Sequence, residues 1–101
     1  MRLQEANRDY YRRTAKKEGF RSRAAYKLLE INNCYHIILK GMYVVDLGCA
    51  PGGWLQVASK AVGSNGRVVG VDLRPVDPLP NVVCIQGPVD DNLLAEKILK
   101  S

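Results

Sequence analysis

The segment VVDLGCAPGGW at 44–54 constrains the fold more than any other part of the chain. Its apolar, β-branched start is followed by three glycines and a proline, and residues 54–62 then have the apolar spacing of a helix. A backbone that turns sharply from a strand into a helix needs a positive φ and room for close approach, and glycine supplies both. The segment therefore predicts a buried strand at 42–47, a glycine bend, and a helix that ends at Gly63.

The residues that follow repeat this alternation of strand and helix. Apolar runs at 67–71 and 81–86 predict two more strands, and 91–100 predicts a last helix with Asp90 or Asp91 near its start. Strands that alternate with helices and are apolar on both faces form parallel sheets with right-handed crossovers. We expect an α/β fold with a three-stranded parallel sheet in the order 3-2-1 and helices on both faces. The glycine bend then lies at the carboxyl end of the first strand, where open α/β sheets bind ligands.

Positive charge is concentrated in the first 27 residues. They hold nine Lys/Arg against three Asp/Glu, whereas residues 28–101 hold six against seven, so this arm accounts for the whole net charge of +5. Two helices are predicted near it, one at 5–18 and one that the Ser22 hydroxyl would cap. Basic residues mixed with aromatic residues, among them Tyr10, Tyr11 and Phe20, suit contact with a nucleic acid; the alternative is a solvated amphipathic helix that packs its aromatic residues. The candidates for nucleic-acid contact are Arg12, Arg13, Lys16, Lys17, Arg21 and Arg23.

Composition limits the other classes of function. With 101 residues, 47% of them hydrophobic and 25% charged, the chain has the size and make-up of one globular domain. No apolar run is as long as a membrane span and the basic start is no secretory signal. We therefore expect no membrane partner and an intracellular location. Because the cysteines and the one histidine lack metal-ligand spacing, we expect no metal site and buried or half-buried thiols at Cys34, Cys49 and Cys84, with Cys49 nearest a ligand.

The glycine bend resembles a dinucleotide-binding loop. Its glycines approach the pattern GxGxxG, although Ala50 replaces the second glycine and Pro51 stiffens the loop. An acidic residue, Asp72, ends the next strand, where it can accept hydrogen bonds from both ribose hydroxyls of a nucleoside and would repel a 2′-phosphate. The loop lacks the GK[ST] of a P-loop, which argues against nucleotide hydrolysis. A purely structural tight turn is the alternative.

A second carboxylate favours a cationic ligand. Asp46 lies at the tip of the first strand, beside the bend. A negative charge there is unhelpful to a pyrophosphate, but it can hold the ammonium group of S-adenosylmethionine directly or through water. The residues thus favour a methyl donor over NAD, with an NAD-binding half-domain as the alternative.

Three longer segments then identify a family resemblance. The stretches YYRRTAKKEGFRSRAAYKLLEI, GMYVVDLGCAPGGWLQVAS and GRVVGVDLRPVDPLPNV resemble the N-terminal half of the FtsJ/RrmJ-like RNA 2′-O-ribose methyltransferases, over about residues 9–90. The resemblance implies a Rossmann-like methyltransferase fold of which strands 1–3 are present, and S-adenosylmethionine as cofactor. It also implies a Lys–Asp–Lys–Glu catalytic tetrad, whose first lysine is matched by Lys27 and would orient a ribose 2′-OH and stabilise its oxyanion. Positions matching cofactor contacts, or in the same motif, are Asp46, Gly48, Pro51, Gly52, Gly53, Trp54 and Asp72.

The resemblance also divides the chain and suggests its substrate. Residues 1–33 would be the basic, helical RNA-binding arm, and 34–101 the first half of the methyltransferase domain. Ribosomal RNA is the first expected substrate and tRNA the second. The exposed edge of the first strand would invite self-association, or covering by the arm.

The chain departs from the family pattern at two places. The last three tetrad residues have no counterpart in these 101 residues. Pro88 stands where the family usually has an aspartate near the adenine, and Asp90 or Asp91 would have to substitute for it. Two hypotheses follow: a methyltransferase represented by part of its chain and inactive in isolation, or a non-catalytic module that binds S-adenosylmethionine or RNA.

Overall fold

The computed structural model describes residues 19–101. The helix predicted at 5–18 and the RNA-binding candidates Arg12, Arg13, Lys16 and Lys17 lie outside the described residues. The elements in the described part are α1 (Ala24–Tyr35), β1 (Tyr43–Leu47), α2 (Gly53–Val62), β2 (Arg67–Asp72), β3 (Val82–Gln86) and α3 (Leu94–Leu99).

The three strands form one parallel sheet in the order β1-β2-β3. Val44 of β1 pairs with Val68 of β2, which in turn pairs with Val82 of β3. The central strand is buried from Val68 to its last residue, and the outer strands are partly exposed. The predicted parallel sheet and its order are confirmed. Branched residues fill β2 because a strand covered on both faces must be apolar on both.

Helix α2 is the helix that packs closely on the sheet in residues 19–101, against β1 and β2. Its apolar face supplies Leu55, Ala58 and Val62 to a core that includes Val68. Helix α1 lies against α2, where Ala25, Leu28 and Val57 form a second buried cluster. Since α1 runs from Ala24 to Tyr35, the predicted division at 33/34 falls inside this helix, and that division stays a prediction.

Some local predictions were wrong. Ser22 does not cap α1: the residue before the helix is Arg23, and no side chain caps this end. The last helix begins at Leu94, later than the predicted position 91. Of the three thiols, Cys49 is buried as expected, but Cys34 and Cys84 are exposed.

Strand β1 presents an apolar surface to solvent. Tyr43, Val45 and Leu47 share the face opposite Val44 and are 76%, 44% and 56% exposed. Within the described part β1 pairs with β2 alone, so its other edge is unpaired there. In the same part no helix is long and apolar enough to cross a membrane, and no three His, Cys, Asp or Glu side chains group as metal ligands would.

Candidate functional site

The glycine bend joins β1 to α2 and is fastened to β2 at its base. The N–H groups of Gly48 and Cys49 both donate to the carbonyl of Val71, at 2.7 and 3.1 Å. Gly48 has φ +80° and Gly52 has φ +111°, values that side chains rarely tolerate, so these two positions need glycine. The bend is thus a fixed loop at the carboxyl end of the sheet.

Asp72, at the end of β2, holds this loop in place. One carboxylate oxygen accepts a 2.8 Å hydrogen bond from the N–H of Ala50, and the other accepts 2.9 Å from the N–H of Arg74, whose Nε lies 3.6 Å away. The hydrogen bonds from Arg74 and then Ala50 lower the pKa of Asp72. A carboxylate has about four acceptor positions, and main-chain donors take two of them; the side chain is 9% exposed. The sequence pointed to a ribose acceptor and missed this second, structural role.

Asp46 is in the opposite electrostatic situation. Its carboxylate is half-buried, and in residues 19–101 it has no hydrogen-bond donor. Burial, and next the negative charge of Asp72, raise the pKa of Asp46. A cation bound here would gain a poorly solvated anion as its partner and relieve the repulsion between the two carboxylates. The predicted preference for a cationic ligand therefore agrees with the local electrostatics.

Cys49 lies below the bend in the core. Its side chain is 5% exposed and packs with Leu55 against the backbone of Gly70. Burial, and then the charge of Asp46, raise the pKa of this thiol to about 11. The thiol is therefore a protonated packing group at neutral pH.

The motif RSRAAYKL and the glycine bend contact each other directly. A Cβ added to Gly52 would lie 2.9 Å from Nη1 of Arg21, and one added to Gly53 would overlap Oγ of Ser22 and come within 3.3 Å of the Cβ of Ala25. The two glycines lack side chains at the places where this segment approaches most closely. The segments that we interpreted separately, one for RNA and one for the cofactor, form a single interface.

Trp54 strengthens that interface with a polar contact. Its indole N–H donates a 2.7 Å hydrogen bond to the carbonyl of Ala24, the first residue of α1. The ring is 42% exposed and is therefore no core residue. Lys27 follows one turn later on α1 with its side chain exposed, so Trp54 fixes the part of the helix that carries this lysine.

The remaining RNA-binding candidates in the described part differ from each other. Arg23 is exposed, and its side chain makes no hydrogen bond or ion pair within residues 19–101. Arg21 donates three hydrogen bonds to main-chain carbonyls of the protein itself. RNA contact by either arginine stays a prediction, but the guanidinium of Arg21 already has an internal role.

Asp90 and Asp91, the two residues that would have to substitute for the adenine-side aspartate, differ in how many hydrogen bonds their side chains already make. Pro88 follows β3 in an exposed turn, and the N–H of Gly87 donates to the carbonyl of Asp72 at 2.9 Å. The carboxylate of Asp91 accepts hydrogen bonds from Lys97 (2.8 Å) and from the N–H of Leu93 (2.9 Å). Asp90 is exposed and is the less engaged of the two acids.

A cavity of about 350 Å³ lies elsewhere, between α2 and the loop before β3. Phe20, Lys60 and Asn81 are among its lining residues, and the Lys60 ammonium is 5.3 Å from the centre of the Phe20 ring. None of the described residues that line it carries a carboxylate. Its chemistry does not match the ligand expected at the bend.

Comparison with known proteins decides the family. A sequence model of FtsJ-like methyltransferases matches residues 20–101. The chain belongs to the FtsJ-like methyltransferase family. Both the resemblance based on the motifs and the Rossmann-like fold are therefore confirmed.

Individual members of the family have similar sequences and folds. The chain is 48% identical over 99 residues to a ribosomal RNA large subunit methyltransferase E of Nitrosopumilus maritimus, covering 98% of the chain and 50% of the relative. Similarity to the enzymes of that name from Methanosarcina barkeri and Acinetobacter baumannii is 53% and 52% identity, over 93% and 90% of the chain and 35% and 42% of the relatives. A crystal structure of a ribosomal RNA methyltransferase from Plasmodium falciparum matches with a TM-score of 0.62 and 41% identity, over 72% of this chain and 41% of that one. The chain thus spans half or less of the length of these relatives.

Proposed function

We propose that this chain is part of an enzyme that transfers a methyl group from S-adenosylmethionine to a ribose 2′-OH of ribosomal RNA. The observation that carries the proposal is the pair of unlike carboxylates at the bend. Asp46 has a raised pKa and no donor within residues 19–101, whereas Asp72 has a lowered pKa and accepts two main-chain hydrogen bonds. The first suits a cationic group and the second suits hydroxyl donors.

The groups present fit S-adenosylmethionine in chemical class. Asp46 would hold the amino-acid ammonium, and the free acceptor positions of Asp72 would receive the ribose hydroxyls. Gly48 is the exposed glycine of the bend, and nothing lies within 4 Å of a Cβ added there, so its backbone leaves room for the close approach of a ligand. When bound, the cofactor supplies an electrophilic methyl group.

The substrate side of the proposal depends on Lys27 and the basic arm. An exposed ammonium on α1, three residues after the carbonyl that Trp54 bonds, can orient a ribose hydroxyl and stabilise the oxyanion that develops as its proton leaves. The excess positive charge of residues 1–27 suits RNA phosphates. The names of the relatives favour ribosomal RNA over tRNA. Action on ribosomal RNA would place the protein in the cytoplasm, or in the nucleolus of a eukaryote.

The alternative is a module that binds S-adenosylmethionine or RNA without catalysis. Of the four tetrad positions that the resemblance implies, these 101 residues match one, Lys27. Members of a catalytic set act as a unit, so the loss of several lowers the rate by orders of magnitude. We expect the isolated 101 residues to transfer no measurable methyl group from tritiated S-adenosylmethionine to unmodified ribosomal RNA. Robust incorporation that depends on Lys27 would contradict this expectation.

Binding of the cofactor is tested by titration followed by NMR, which detects weak complexes. Asp46→Asn and Asp72→Ala should each weaken binding of S-adenosylmethionine, and NAD should compete poorly. Glu96→Gln is the matched control, because it removes an exposed carboxylate on α3 that makes no side-chain hydrogen bond or ion pair in the described part. Unchanged affinity in both site variants, or tighter binding of NAD, would refute the proposal.

A further inference from the structure

Arg21 connects three segments that are far apart in the sequence. Its Nη1 donates to the carbonyl of Pro51 in the glycine bend at 3.2 Å and to that of Asp77 at 2.7 Å, and its Nη2 donates to the carbonyl of Pro78 at 3.3 Å. Asp77 and Pro78 belong to the proline-rich loop at 73–81, which joins β2 to β3. A single guanidinium therefore links the N-terminal segment, the bend and this loop.

The base of the Arg21 side chain is also held. Its backbone N–H donates a 2.7 Å hydrogen bond to Oε1 of Gln56 on α2, and Nε2 of the same glutamine donates 3.1 Å to the carbonyl of Gly19. The residue is therefore anchored to the helix that begins at the bend. An arginine fixed at its backbone and bonded at its tip has little freedom to turn toward RNA.

The arginine also fills space at the cofactor motif. A side chain at Gly52 would collide with Nη1 of Arg21, at 2.9 Å, and crowd Cγ1 of Val76, at 3.3 Å. Arg21 and Val76 therefore pack against the backbone of the bend from the two segments that border it. The separation between the bend and the proline-rich loop depends on the group placed between them.

We propose that Arg21 is a positioning residue for the cofactor site rather than a phosphate ligand. Its planar fork reaches carbonyls of two loops at once, which one ammonium cannot reproduce. It sets the distance between the glycine bend and the proline-rich loop, and through the bend it fixes the Ala50 N–H against Asp72. The inference rests on the proposed function, since the ligand whose affinity it controls is S-adenosylmethionine.

The test compares Arg21→Ala and Arg21→Lys with Arg23→Ala, which removes the same charge two residues away without losing a hydrogen bond or ion pair within residues 19–101. Arg21→Ala should weaken binding of S-adenosylmethionine about tenfold, within the usual range of coupling between sites, and leave the salt dependence of RNA binding unchanged. Arg23→Ala should do the reverse, lowering the slope of log K against log[salt] by roughly 0.7–0.9. Arg21→Lys should recover only part of the lost affinity. Equal affinity for the cofactor in Arg21→Ala and wild type, or full recovery by lysine, would overturn the proposal.

Amide hydrogen exchange separates this idea from the proposed function. In Arg21→Ala the Ala50 amide should exchange faster, while the amides of β2 keep their wild-type rates because the sheet is intact. If the wild type binds no S-adenosylmethionine, the proposed function fails, and the exchange rates still decide whether Arg21 holds the bend. If the Ala50 amide of Arg21→Ala exchanges at the wild-type rate, that result alone would refute the positioning role.

Discussion

Gly53→Ala tests whether the motif at 21–27 and the glycine bend depend on each other. Gly53 is buried at the start of α2, and its φ is not positive, so alanine introduces no backbone strain there. The added Cβ would overlap Oγ of Ser22, and it would lie 3.2 Å from the Cβ of Ser22 and 3.3 Å from that of Ala25. Ordinary carbon–carbon contacts are about 3.5–4.0 Å, so α1 must shift by a few tenths of an ångström or more.

The expected change in the free energy of unfolding has two parts. Overpacking a well-filled site destabilises by about 1–3 kcal/mol. Replacing glycine by alanine in a helix returns at most about 1 kcal/mol, and less at the first position. We expect a net destabilisation of about 1–2 kcal/mol, which lowers the Tm of a domain of this size by roughly 4–16 °C.

A double-mutant cycle in urea identifies the contact responsible. Ser22→Ala removes the overlapping oxygen and should by itself change stability by less than about 0.5 kcal/mol, because that hydroxyl makes no hydrogen bond within residues 19–101. When it is combined with Gly53→Ala, it should restore part of the lost stability, with a coupling free energy between the two substitutions of about 0.5–1.5 kcal/mol. Partial recovery is expected because the two Cβ contacts remain.

Gly48→Ala is the control for this cycle. Gly48 has φ +80° and nothing within 4 Å of an added Cβ, so alanine there causes backbone strain without a collision. Ser22→Ala should leave that destabilisation unchanged. Additive effects of Ser22→Ala and Gly53→Ala would show that Gly53 does not serve the close approach of α1, and the argument for one joint interface would fail.

Three further predictions concern charge and the sheet edge. Asp46→Asn should stabilise the protein at neutral pH and weaken cofactor binding. Because the pKa of Asp46 is raised in the folded state, the wild type loses stability as the pH rises through that pKa. In urea unfolding, the greater stability of the variant should therefore disappear at acid pH. Asp72 has a pKa lowered from 3.8, so its stabilisation is complete above that value and is lost as pH falls through the folded-state pKa; Asp72→Asn should flatten this acid limb, and an unaltered limb would contradict the assignment. Sedimentation should show concentration-dependent self-association that Val45→Lys abolishes and that Leu99→Lys, at a more exposed apolar site elsewhere, does not. A wild-type protein that is monomeric at all concentrations would contradict self-association through β1.

The sequence by itself determined the sheet and the location of the site. Runs of branched residues that alternate with helical segments favour a parallel sheet with right-handed helical crossovers, and the order of the strands followed. The acids at the ends of β1 and β2 could be located because the apolar runs of the sequence show where each strand ends. Family membership was readable for the same reason, since the motifs are local.

Tertiary structure decided which residues contact each other across these motifs. The sequence showed Arg21 as one basic residue among nine in residues 1–27, Ser22 as a helix cap, and Trp54 as a residue of the cofactor motif. In the fold, Arg21 and Ser22 pack against the glycines of the bend, and the Trp54 indole N–H donates a hydrogen bond to the first carbonyl of α1. Such contacts join residues about 30 positions apart, and no periodicity encodes them. These contacts depend on how α1 packs against α2, and that packing is determined by the whole helices. The two motifs therefore form a single interface only in the folded chain.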